Sequence, residues 1–193
     1  MLIFLDRQHA GKPNRLSDRG AAQDLDGDGV ISWDEKEAIW TGKLSIELEI
    51  LLLGLGYDVL PISDGNYRDR HNRVNQYSYG MPDSIYLALH LNPGGGKYGS
   101  FFYHHSSTKG RELSKQMAKS LYDQIEISDT KAIPCASGDW TKNAWNTIKG
   151  VGRPVAICCE PIFMDTHKHF LTDEGIKLIA LGMASGIQSW VEK

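Results

Sequence analysis

Short apolar runs that alternate with apolar residues at helical spacing constrain this chain more than any other feature of its sequence. Leu2 to Asp6, Tyr57 to Ile62, Ile85 to Leu91, Ser100 to His104 and Val155 to Glu160 have the length of strands. Several are rich in β-branched or aromatic residues, which suit a pleated, buried surface. Between them Leu44, Leu48, Leu51, Leu52 and Leu55 recur at the period of a helix. Leu113, Met117 and Leu121 do the same, as do Ile176, Ile179, Ala180, Met183 and Ile187. Ser107 and Thr172 are the predicted N-caps of these last two helices, because their hydroxyls can accept from free backbone N–H groups. The alternation predicts an α/β fold with a mixed, mostly parallel sheet of about five to six strands and helices on both faces. At 193 residues the chain suffices for one core and not for two large ones, so a single domain over 1–193 is expected. Gly94-Gly95-Gly96 reads as a turn between strands, since no helical pattern follows it as a phosphate-binding loop requires.

Composition excludes several classes of function. A formal net charge of -3 gives no broad electrostatic reason to expect nucleic acid or an anionic membrane as partner. Cys135, Cys158 and Cys159 cannot all pair within one chain, and the adjacent two sit in an apolar run, so buried free thiols are expected. No C-x-x-C pair is present, which argues against a thiolate metal site. The opening Met1 to Asp6 is apolar but short and lacks a basic lead, so it reads as a strand and not as a signal peptide. No stretch approaches a membrane span, and a monomer is expected.

Asp24-Leu25-Asp26-Gly27-Asp28-Gly29-Val30-Ile31-Ser32-Trp33-Asp34-Glu35 has the spacing of an EF-hand loop. Carboxylates stand at its first, third and fifth places, glycine at the sixth and glutamate at the twelfth. Calcium (Ca2+) takes six to eight hard oxygens, which Asp24, Asp26, Asp28 and Glu35 would supply with the Val30 carbonyl and Ser32. Without a cation the three aspartates repel one another. Ile31 is expected to pin the loop to the core. One such loop, 24–35, points to structural calcium, since sensor loops come in pairs.

Two histidines stand out by position. His9 follows the first strand and His90 ends another, and strand ends of an open α/β sheet line its ligand crevice. If a helix continues from the acidic loop, Glu37, Thr41, Leu44 and Leu48 share its inner face, while Glu35 lies about 200° around. Glu35, Glu47 and Glu49 are alternative carboxylates nearby. Two histidines and a carboxylate with one open position make a catalytic zinc (Zn2+) set. Glu160 ends an apolar strand, where a carboxylate is costly without a partner or a chemical task.

The order His9, Glu37, His90 and Glu160 resembles the zinc N-acetylmuramoyl-L-alanine amidases of the AmiC/CwlV type. That family opens on strand-Asp-Pro-Gly-His-Gly-Gly, carries its second histidine in Ser-Ile-His-Ala-Asn and its glutamate in Val-Glu-x-Gly-Phe-x-x-Asn. The resemblance implies that His9, Glu37 and His90 bind zinc and that Glu160 is catalytic. It extends to Arg73, Asn92 and Phe163. The chain departs from the pattern at Arg7, Gln8 and Ala10, at Ile62-Ser63 in place of Thr-Arg, and at Thr166 in place of asparagine. The gap from His9 to Glu37 exceeds the usual one by roughly one EF-hand loop, so the calcium loop reads as an insertion.

The activity implied is hydrolysis of the bond between N-acetylmuramic acid and L-alanine in peptidoglycan, by a zinc-activated water with Glu160 as general base and then acid. The lack of an export signal points to a phage endolysin, made in the host cytoplasm and released to the wall. An extracellular enzyme is the expectation if the sequence is a trimmed piece. Competing readings are another zinc hydrolase (a peptidase or deacetylase), a non-enzymatic calcium-binding module, and a thiol enzyme built on Cys135. Tyr67, Tyr79, Trp140 and Trp145 are candidates for stacking on substrate. His104, His105, His167 and His169 are expected at the surface.

Overall fold

A computed structural model of the chain describes residues 1–9, 20–32, 35–81, 83–92 and 94–193. Ala10 and Gly11 of the first histidine motif, and positions 33 and 34 of the acidic loop, lie outside the described residues.

Six strands form one sheet: β1 (Leu2–Arg7), β2 (Asp58–Ile62), β3 (Ile85–Leu89), β4 (Tyr98–His104), β5 (Asp129–Cys135) and β6 (Val155–Glu160). Their order is β2-β1-β3-β6-β4-β5, parallel throughout except where β4 meets β6. Among the described residues five α-helices accompany it: α1 (Glu37–Gly54), α2 (Tyr67–Tyr77), α3 (Thr108–Gln124), α4 (Lys142–Ile148) and α5 (Asp173–Val191). The expected α/β architecture is therefore the one found, and Ser107 and Thr172 do accept from the third residue beyond them, Gly110 and Gly175.

Alternation along each strand sorts the core into two layers. Ile3, Leu5, Leu87, Ile157, Cys159 and Phe101 pack under α1, α3 and α5, whose Leu44, Leu48, Leu113, Met117, Ile179 and Met183 form the inner stripes. Phe4, Tyr86, Ala88, Phe102 and Cys158 point the other way, against Val74 of α2 and Ala144 and Ile148 of α4. Parallel strands covered on both faces must be apolar on both, which is why these runs are continuous and not alternating. Truncating a fully buried leucine such as Leu48 costs about 2–5 kcal/mol.

Three elements escape the periodic reading. β5 is an edge strand of exposed and half-buried residues, buried only at Cys135, and carries Pro134, tolerable where no further strand needs its missing N–H. α2 is polar and buries only Arg70, His71 and Val74. α4 spans 7 residues, too few for a period to emerge. The acidic segment also differs from expectation. Ala22 bridges Lys36 and the helix begins at Glu37, so the loop is closed by a strand-like contact at its base. Ile31 is 46% exposed and does not pin the loop to the core.

The topology sets the site. From β1 the chain passes over one face through α1 to β2, then returns beneath through α2 to β3 on the other flank of β1. β1 and β3 thus flank the point where strand order reverses, and a crevice opens beyond their carboxyl ends.

Candidate metal centre

Register brings the site residues level. Arg7 of β1 pairs with Leu89 of β3, and Leu89 pairs with Cys159 of β6. One step further, the His90 N–H donates to the Cys159 carbonyl at 2.9 Å, which sets His90 beside Glu160. Level residues of parallel neighbours face the same way, so both side chains emerge with Ala88 and Cys158 while Cys159 turns into the opposite layer. His9 follows two residues after β1 ends, with φ at 60°, a left-handed conformation uncommon for a residue with a Cβ.

Glu37, the first residue of α1, completes a cluster with the two histidines. His9 Nε2 lies 3.2 Å from His90 Nδ1, His90 Nδ1 lies 3.0 Å from Glu37 Oε1, and His9 Nε2 lies 3.7 Å from Glu37 Oε2. Both glutamate oxygens are aimed by backbone: Ala21 N–H donates to Oε2 at 2.7 Å and Leu91 N–H to Oε1 at 3.0 Å. Thr41, one turn on, ties α1 to the end of β1 through its hydroxyl, 3.3 Å from the Gln8 carbonyl. Gly20 closes the far side at φ 72°, where a Cβ would stand 2.4 Å from Glu37 Oε2 and 2.8 Å from the His9 ring.

Burial alone would push the Glu37 carboxyl up, but the hydrogen bond and charge of His90, helped by His9, hold it below the usual carboxylate value. Burial likewise works against a charged His90, and Glu37 outweighs it, raising the imidazole above its ordinary value. The arrangement is an anion facing two imidazole nitrogens across a few ångströms. Two ligand atoms at zinc-bond distance in tetrahedral geometry stand about 3.4 Å apart, which the observed spacings bracket, so the residues fit a zinc ion. All three ligand atoms lie within 4.8 Å of one another, and Asp24, Asp26 and Asp28 form the other such group among the described residues.

Glu160 shares a cleft of about 350 Å³ with His9, Glu37, His90 and Tyr67. Burial raises its pKa, against the opposing pull of His90 and of Asn92, whose amide donates to Oε2 at 2.7 Å. Asn92 is itself fixed, its N–H on the Ile162 carbonyl and its carbonyl on the Met164 N–H. Phe163 is a packing residue, its ring against Gly96 and Tyr98.

In the acidic loop Asp24 accepts from Gly27 at 2.7 Å and from Gly29 at 2.8 Å, and these bonds lower its pKa. Asp28 accepts from Val30 at 2.7 Å. Glu35 is buried and accepts from Ser32 at 2.6 Å and from Leu25, so it closes the loop. The aspartates remain exposed and converge on one point.

Other candidates separate from the cleft. Arg73 is half-buried and donates to the Asp64 carbonyl, while Arg70 is fully buried. Arg70 donates to Asp6 at 2.5 Å and to Gln8 at 3.1 Å, with the Tyr86 hydroxyl on the other Asp6 oxygen. The family resemblance points to Arg73, and no pattern in the sequence marks Arg70. His167 is buried, not superficial: its Nδ1 accepts from the Phe163 N–H at 3.0 Å. His104 and His105 stack on each other at 4.6 Å. Burial pushes the Cys135 thiol up to about 12, which removes the thiolate a cysteine nucleophile needs. Of the four aromatics, Tyr67 lines the cleft, whereas Tyr79 and Trp140 are exposed.

No protein-family model matches the chain, and no curated protein matches it by sequence. Solved structures do share its fold. Cwp6 from Clostridium difficile superposes at a TM-score of 0.77 with 17% identity over 98% of this chain, which spans 29% of that longer protein. An N-acetylmuramoyl-L-alanine amidase from Clostridium difficile 630 gives 0.73 with 16% identity, covering 100% of this chain and 97% of the other. The catalytic domain of an endolysin targeting Clostridia Difficile gives 0.64 with 19% identity, covering 98% and 97%. At such identities the likeness shows the fold alone: an α/β sheet shared with those structures, here carrying a His-Glu-His cluster at its switch point.

Proposed function

We propose that the chain hydrolyses the amide between N-acetylmuramic acid and L-alanine in peptidoglycan, with zinc held by His9, Glu37 and His90. The observation that carries the reading is the convergence of those three ligand atoms beside Glu160, at the carboxyl ends of β1, β3 and β6. Two imidazoles and one carboxylate leave a position open, which separates catalytic from structural zinc. That an N-acetylmuramoyl-L-alanine amidase has the same fold favours this bond over a peptide or acetamide.

Zinc bound there supplies a Lewis acid for the amide carbonyl and acidifies a water. The chain does the rest. Glu160 takes a proton from the attacking water and returns it to the alanine nitrogen, a poor leaving group until protonated. Asn92 holds one Glu160 oxygen, so the other moves the proton. The Ala21 and Leu91 N–H groups keep the Glu37 carboxylate turned toward the histidines.

Calcium at Asp24, Asp26, Asp28, Val30, Ser32 and Glu35 is part of the proposal and has a structural task. Glu35 and Glu37 sit either side of Lys36, so a cation that fixes the first also steadies the start of α1. The shared fold of the endolysin domain supports a lytic enzyme that reaches the wall after release from the cell where it is made. Metal analysis tests the centre directly: the purified chain should hold one zinc and His90→Ala should hold none. Full zinc content in that variant would remove His90 from the site.

A further inference from the structure

We infer that the groove between α2 and α4 is a subsite for the acidic stem peptide, with Arg68 and Lys149 receiving its free α-carboxylate. The inference rests on the amidase reading and adds to it where the peptide half of the substrate lies.

A depression of about 460 Å³ lies beside the catalytic cleft, and Tyr67 and Asn146 line both, so the two adjoin. Arg68, His71, Asn72 and Lys149 complete its wall with Gly150, and among the described residues no carboxylate lines it. The groove is preformed. The His71 ring lies flat against Tyr67 at 6.0 Å and bonds through Nε2 to the Thr147 carbonyl at 2.8 Å. Asn75 ties α2 to the turn after α4, donating to the Gly150 carbonyl and accepting from the Gly152 N–H, both at 2.8 Å. Gly150 is required there, since a Cβ would stand 2.4 Å from His71 Nδ1. Rigid walls lower the ordering cost of binding.

Charge decides which half of the substrate fits. The N-acetylated glycan is neutral. The peptide is not: its second residue is a glutamate joined through the side chain, which leaves an α-carboxylate about 7 Å beyond the scissile bond when extended. Lys149 is preset by its bond to Asn146 at 2.8 Å and its place over the Trp145 ring at 4.5 Å. Arg68 is 83% exposed, with an Asp69 oxygen at 4.0 Å, and so presents its guanidinium to a ligand.

The test is a titration of the zinc-loaded whole chain with the tripeptide L-alanyl-D-isoglutamyl-L-lysine and with its isoglutamine counterpart, followed by backbone amide resonances. The acid peptide should shift the amides of Asn72 and Gly150. Arg68→Gln with Lys149→Gln should weaken it by about tenfold, the sum of two partly exposed charge contacts, while the amidated peptide changes less than about twofold. In the parent, added salt should weaken the acid peptide alone. Silence of those amides with both peptides, equal weakening of both, or no effect of the double substitution would overturn the subsite. Release of alanine amino termini from peptidoglycan is read separately. Its failure with groove binding intact would sink the amidase reading, and its success with a silent groove would sink the subsite alone.

Discussion

Gly20 and His9 both hold left-handed backbone within contact of Glu37, at φ 72° and 60°. Left-handed geometry costs a residue with a Cβ about 1–2 kcal/mol, so His9 keeps it only because the surroundings over-determine it. Gly20→Ala should therefore do two things at once, straining its own turn and pressing on a Glu37 oxygen. The expected loss in zinc affinity is about 10–100-fold, measured by competition with a chelator, and unchanged affinity would mean Gly20 does not shape the centre. Glu160→Gln should retain zinc and melting temperature but lose roughly 10²–10⁴-fold in turnover, since the amide cannot take the proton. Turnover near that of the parent would place the base elsewhere. Arg70→Met leaves Asp6 buried without its cation and should cost about 3–5 kcal/mol in chemical denaturation. Arg73→Ala, half-buried and bonded to one carbonyl, should cost about 1 kcal/mol, and equal losses would contradict the placement of the buried pair.

Elements differ in how openly the sequence declared them. β1, β3 and β6 are read at once because strands buried on both faces must be apolar throughout, and His9, His90 and Glu160 stand out by following them. α1, α3 and α5 declare themselves by period, since each covers a wide stretch of sheet. α2 has no such stripe, because its buried face is an arginine and a histidine joined to polar partners. Its one local signal is Asn66 followed three residues later by Asp69, a reciprocal cap that marks a helix start without apolar residues. Glu37 could be chosen over Glu35 only on the supposition of a helix, and the structure starts that helix at Glu37 itself. Gly20 and Ala21 were illegible, since backbone donors carry no side-chain signature. The acidic loop supplies its own prediction. Calcium at about a hundred times its dissociation constant should add about 2.7 kcal/mol to stability, and Asp26→Ala with Asp28→Ala should abolish that gain. A melting temperature indifferent to calcium in the parent would make the loop a solvated turn.

On the scale of the whole molecule, one sheet does two jobs. Its two apolar layers hold helices from opposite sides, and the reversal of strand order between β1 and β3 leaves the crevice in which the four candidate residues meet. Three of the four stand at the carboxyl ends of different strands and the last at a helix start, so the centre forms only when the fold does. Among the described residues no helix is long and apolar enough to cross a membrane. The central claim is the bond that is cut, and the chemistry of the new ends reads it directly. Purified peptidoglycan digested with the zinc-loaded chain should release stem peptides with a free amino group on L-alanine and leave intact glycan strands with lactyl carboxylates. New amino groups on any other residue, new reducing sugar ends, or released acetate would contradict the account.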